Sequence, residues 1–185
     1  LLTFYGSLTA QDTGKKYSNA LEINLANIFS TGGPSLQYSR IGPKTNFRLG
    51  INANRFSNDL DFNESTSAGI RLGLAGQKNY DKVFLTYGLD LAYSYFKATS
   101  EIEVTNFNGE TMTQSIESTY NTVSLLPFIG VGYQIADRFS VAVESYGTLS
   151  MTYNNSEIDG INEGGSDNFR AALFENARLF ARFHF

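Results

Sequence analysis

His184 is the only imidazole in a chain of 185 residues, so any search for acid–base chemistry at neutral pH begins there. It stands alone: the sequence contains no HExxH, GxSxG, CxxC or phosphate-loop pattern, and no cysteine at all. Hard-cation chemistry has one candidate, NNSEIDGINEGGSDN (154–168), with four carboxylates of the kind Ca²⁺ takes. Its spacing departs from the DxDxDG loop because Ile161 occupies a ligand position, and it reads as a solvated loop. The third set is seven isolated charges, Glu22, Asp90 and Glu144 against Arg48, Arg71, Arg178 and Arg182, each set among small or apolar neighbours. What those seven can do depends on the elements that hold them.

Those elements have a period of two. VFLTYGLDLAYSYF (83–96) places Val83, Leu85, Tyr87, Leu89, Leu91, Tyr93 and Tyr95 on one face and Thr86, Gly88, Asp90, Ala92 and Ser94 on the other. NFRLGINANRF (46–56), NTVSLLPFIGVGYQI (121–135) and FSVAVESYGTLSMTY (139–153) alternate in the same way. With 15 Phe, 11 Tyr and 17 Gly but only three Pro, the composition suits β structure, and no stretch has the length and apolarity of a membrane-crossing helix. A soluble sheet would put Lys, Glu and Thr on its second face. Here that face is Gly, Ser, Asn and Ala with isolated charges, which fits a crowded polar interior and an apolar exterior, the inversion of a transmembrane barrel.

Eight strands are predicted, near residues 20–29, 35–41, 46–57, 66–77, 82–98, 118–135, 139–153 and 169–185, giving an all-β, eight-stranded antiparallel up-and-down transmembrane β-barrel over residues 20–185. IGPKTN, QKNYDK and ADR are short links after the second, fourth and sixth strands, and longer loops are expected at 58–65, 99–117 and 154–168. Those three loops hold 11 of the 18 acidic residues and no Lys or Arg, while Arg40, Lys44, Lys78, Lys82 and Arg138 lie towards the other end. Acidic loops make nucleic acid a poor partner. LLTFYGSLTA (1–10), apolar and ending on small residues, reads as a signal-peptide remnant, with 11–19 as an N-terminal segment.

The plan resembles the small eight-stranded outer-membrane barrels of the OmpA/OmpX type. The resemblance is carried by YGLDLAYSYF, LLPFIGVGYQIADRFSVAVE and the closing NARLFARFHF, where Leu179, Phe183 and Phe185 alternate. It implies the outer membrane of a Gram-negative bacterium, outer-membrane lipid around the barrel, and Leu179, Phe183 and Phe185 as the signal read by the barrel-assembly machinery. Some small barrels of this kind modify lipid near the outer leaflet with a histidine, but His184 falls at the opposite end, so a non-enzymatic protein without cofactor or metal is expected.

Eight strands enclose a space that side chains fill. The seven inward charges are therefore expected to pair, with Phe84, Phe128, Phe174 and Phe180 between them, and to plug the lumen, the rival reading being a narrow channel. Beyond the membrane, ATSEIEVTNFNGETMTQSIESTY keeps alternating towards Asn108-Gly109, a strong hairpin signal. It predicts a protruding two-stranded ribbon that could meet an extracellular protein partner by strand addition.

Overall fold

The computed structural model describes residues 18–25, 35–42, 45–58, 63–105, 111–158 and 161–185. Its eight strands are β1 (Asn19–Asn24), β2 (Ser35–Ile41), β3 (Asn46–Asn58), β4 (Asn63–Tyr80), β5 (Val83–Thr105), β6 (Thr111–Ala136), β7 (Phe139–Ile158) and β8 (Ile161–His184). Each pairs antiparallel with its chain neighbour, and β1 pairs with β8 to close the barrel. The seam runs from Ala20↔His184 to Asn24↔Phe180 and is extended by Asn19 N–H to Phe185 O at 3.1 Å and Phe185 N–H to Asn19 O at 2.9 Å.

Alternation sets which way each side chain points. On β5, Phe84, Thr86 and Asp90 are buried inside, whereas Val83, Leu85, Tyr87, Leu89, Leu91 and Tyr93 are exposed outside. The same division gives an external belt that includes Leu72, Leu74, Ile129, Val131, Val143, Leu149 and Leu179. Tyr80, Tyr133, Phe139 and Phe183 rim one end of this belt, and Tyr93, Phe169 and Tyr153 the other. From Val83 to Tyr93 the strand climbs about 25 Å along the barrel axis, taking about 3.3 Å per residue and a tilt near 40°, which is the height of a membrane-crossing apolar band. The chain is a membrane-spanning β-barrel. Leu89 sits near mid-height, so Leu89→Arg should cost about 2–4 kcal/mol of stability in lipid vesicles, whereas Tyr80→Arg at the rim should cost about 0–1 kcal/mol. Urea unfolding of the two variants side by side checks this depth dependence, and equal losses would count against the belt's placement.

The links depart from the sequence expectation in an instructive way. The link expected as a loop at 154–168 is mostly strand: β7 runs to Ile158, β8 starts at Ile161, and Tyr153↔Asp167 and Asn155↔Gly165 are direct pairs. These Asn-, Ser- and Gly-rich residues have little strand preference of their own; they extend because each adjoins a ladder already formed. A register shift at Ser156/Glu157 accompanies Gly164, whose φ of 103° is open to glycine and strained for other residues. The 58–65 link shortens likewise, with β3 reaching Asn58 and β4 starting at Asn63. QKNYDK contracts to a turn at Asp81 and Lys82, where Asp81 takes the left-handed conformation (φ 55°) that aspartate tolerates.

Beyond the belt, β5 and β6 stay paired as far as Thr105↔Thr111. β4 leaves β5 at Glu64↔Thr99, and β7 leaves β6 at Ile116↔Ile158. Among the described residues, what continues is a two-stranded ribbon, with Lys97 Nζ and Glu117 Oε2 paired at 2.7 Å near its base. Asn108 and Gly109, together with residues 1–17, lie outside the described residues.

Candidate functional site

The seven charges singled out in the sequence come from six strands. β1 contributes Glu22, β3 Arg48, β4 Arg71, β5 Asp90, β7 Glu144, and β8 Arg178 and Arg182. They form two layers inside the barrel. In the lower layer, Arg48 Nη2 donates to Glu144 Oε2 at 2.7 Å, and Arg182 Nη2 donates to Glu22 Oε2 at 2.9 Å. Arg182 also lies 3.5 Å from Glu144 Oε1, which joins the two pairs. Ser39 Oγ donates to Glu22 Oε1 at 2.5 Å, and Thr86 Oγ1 to Glu144 Oε1 at 3.4 Å. All four charged groups are buried, and two cations face two anions, so each charge has a partner that offsets its desolvation.

Tyr146 is the residue that a search of the sequence for charge overlooks. It shares the inward parity of Glu144 and Thr148, and that parity was the signal that could have found it. Its buried hydroxyl donates to Glu144 Oε2 at 2.6 Å and accepts from Arg48 Nη2 at 3.1 Å. Its ring forms the boundary between layers: Arg71 and Arg178 lie 5.2 and 4.7 Å from its centroid, and Phe128 packs 5.3 Å away. Arg48 in turn stacks 4.1 Å over Phe128, and Arg182 lies 5.4 Å from the Phe84 ring. The aromatic residues thus serve as faces for the guanidiniums, as well as filling space.

The upper layer is sparser. Asp90 is fully buried, 3.6 Å from Arg71 Nη1, and its carboxylate makes no hydrogen bond among the described residues. It lies so close to Gly73 that a β-carbon there would overlap it. Gly130 similarly leaves room for Glu144 and Thr86. Glycines on the inward face are where the barrel makes space for its charges.

His184 is inside the turn end of the barrel, 3.0 Å from Ser140 Oγ. The serine partner was not foreseen. A hydroxyl beside an imidazole is the opening requirement of nucleophilic catalysis, but Ser140 is 0% exposed, so no substrate reaches its oxygen in this conformation. Among the described residues no group of three His, Cys, Asp or Glu side chains is placed to hold a metal ion.

Between the lower pairs the lumen narrows to a void of about 10 Å³, lined by Glu22, Ser39, Arg48, Thr86, Glu144 and Arg182 among others, space for about one water. Above Tyr146 it widens. A cavity of about 300 Å³ is bounded by Asn52, Arg71, Ser94, Ser124, Thr148 and Arg178 among others, and a wider one of about 780 Å³ by Thr122, Ser150, Thr152, Asn168 and Arg170 among others. Leu179, Phe183 and Phe185 are all outside, on the belt, with the two phenylalanine rings 6.5 Å apart.

Fold and interior together define a membrane-spanning barrel with a charge-packed waist and a polar upper vestibule. No protein-family model and no curated protein matches the sequence. Among solved structures the chain is similar to a major outer membrane protein from Thermus thermophilus, at 13% identity and a TM-score of 0.48 over 91% of this chain and 98% of that one. It is also similar to CarO2 and CarO of Acinetobacter baumannii, each at 12% identity, with TM-scores of 0.48 and 0.42, over 91% of this chain and 98% and 97% of theirs.

Proposed function

We propose that the protein is an integral outer-membrane barrel of the small OmpA/OmpX-like kind, without enzymatic activity, that presents the β5–β6 ribbon to an extracellular partner. An even number of antiparallel strands, tight turns at one end and long strand pairs at the other match the plan of bacterial outer-membrane barrels. The observation that carries the role is the ribbon. Among the described residues its two edges leave their ladders with β4 and β7 past Thr99 and Ile116, which offers a template for strand addition by an extended segment. Its acidic residues Glu101 and Glu103 favour a partner with basic residues flanking that segment. On the closing strand, Leu179, Phe183 and Phe185 are the residues we assign to recognition by the barrel-assembly machinery.

The channel reading is disfavoured by the waist, where two ion pairs and Tyr146 occupy the path an ion would take. The test uses the whole barrel and a variant in which residues 100–116 are replaced by a two-residue Asn-Gly turn. Partners cross-linked on intact cells should be recovered with the first and lost with the second, while both remain folded and neither shows stepwise conductance in planar bilayers. Equal recovery from both would move the contact off the ribbon, and stepwise conductance would restore the channel.

A further inference from the structure

The interior charges do not balance where the space is. In the lower layer Arg48 and Arg182 face Glu22 and Glu144 at short range. In the upper layer Asp90, 3.6 Å from Arg71, is the one carboxylate among the described residues, while Arg178 lies across the ladder from Glu144, whose oxygens are already engaged by Arg48, Tyr146 and Arg182. The surplus cation therefore falls at the floor of the 300 Å³ cavity, which both arginines line. Among the described residues, neither that cavity nor the wider one above it is lined by a carboxylate. The remaining lining is rich in hydroxyl and amide groups, from Ser35, Asn52, Ser94, Ser124 and Thr148.

We infer that the vestibule floor is a binding site for a small soluble oxyanion, of the phosphate or carboxylate class, held between Arg71 and Arg178. The two guanidinium carbons lie 5.2 and 4.7 Å from one ring centroid, so they are at most about 10 Å apart. Stacking on Tyr146 fixes both forks in advance, which removes much of the ordering cost that flexible cations would meet on binding. A guanidinium fork matches an oxyanion with two parallel hydrogen bonds, and low-dielectric barrel walls strengthen the attraction. A space of this size takes a small ligand. The strand wall separates it from the lipid, so the anion enters from water through the open upper end, and the waist below prevents its passage.

Inorganic phosphate is the probe, titrated at low salt into the detergent-folded full-length barrel and followed by phosphorus NMR line broadening. Saturable binding is expected, weakened by added chloride. Arg178→Gln should weaken it by tenfold or more, and Arg178→Lys, which keeps the charge but loses the fork, by less. Asp90→Asn should tighten binding by removing the carboxylate that competes for Arg71, and it decides the matter if Arg178→Gln does not fold, as judged by circular dichroism. Binding of equal strength in folded Arg178→Gln, weaker binding in folded Asp90→Asn, or no saturable binding by the unaltered barrel would each overturn the site.

Discussion

Replacing Glu144 with alanine should destabilise the barrel by about 3–5 kcal/mol, the range for removing one partner from a buried ion pair. The reason is arithmetic as much as contact. Glu144 takes the Arg48 guanidinium at 2.7 Å and the Tyr146 hydroxyl at 2.6 Å, and also lies 3.5 Å from Arg182. Without it the two buried cations lose the carboxylate that joins them and keep only Glu22 at short range, with Asp90 farther off. The double variant Arg48→Met/Glu144→Gln restores one cation to one anion, Arg182 with Glu22, and should recover a large part of the loss. Equilibrium urea unfolding of the two variants and the unaltered protein measures the difference. A double variant as unstable as Glu144→Ala would mean that packing around Tyr146, rather than charge, sets the cost.

The second large effect is expected in the cell instead of the test tube. Phe183 and Phe185 lie at the belt's lower rim, where a charged residue costs only about 0–1 kcal/mol. Phe183→Asp/Phe185→Asp should therefore refold into detergent almost as well as the unaltered chain. If these side chains are read during assembly, the same variant should nevertheless leave most of the protein unassembled in cells, with export itself unaffected. Heat-modifiable mobility of membrane fractions reports the assembled share. Normal assembly of the double variant would remove the recognition role from these residues and leave them as lipid-facing bulk.

Much of this was legible from parity alone. Once one face of VFLTYGLDLAYSYF is assigned to lipid, Phe84, Thr86 and Asp90 must point inward, and the same step places Glu22, Arg48, Glu144 and Arg182 inside. Parity says which side a residue faces; it does not say what height it occupies. Height depends on inter-strand register, so the grouping of the charges into a balanced lower layer and an unbalanced upper one could not be read from spacing. Nor could the shift at Tyr146/Thr148, where β8 spends two more residues than β7, from Asn176 to Ala172, without changing parity. The strand extensions at 154–158 and 161–168 were hidden for another reason: Asn154, Asn155, Gly164 and Gly165 are recruited by their neighbours and carry little signal themselves.

The seam also bears on the order of events during folding. Every other ladder joins consecutive strands and can form as a local hairpin, whereas Glu22 and Arg182 are 160 residues apart along the chain and Arg48 and Glu144 are 96 apart. Contacts so remote in sequence carry the largest loop-closure entropy and form late. An open, curled sheet would thus hold its hairpins while Arg48 and Glu144 were still hydrated and apart. The ion pairs can form only as the cylinder shuts and water leaves, which makes the waist a latch: its charges reward completion of the ring and give little to any partly closed intermediate.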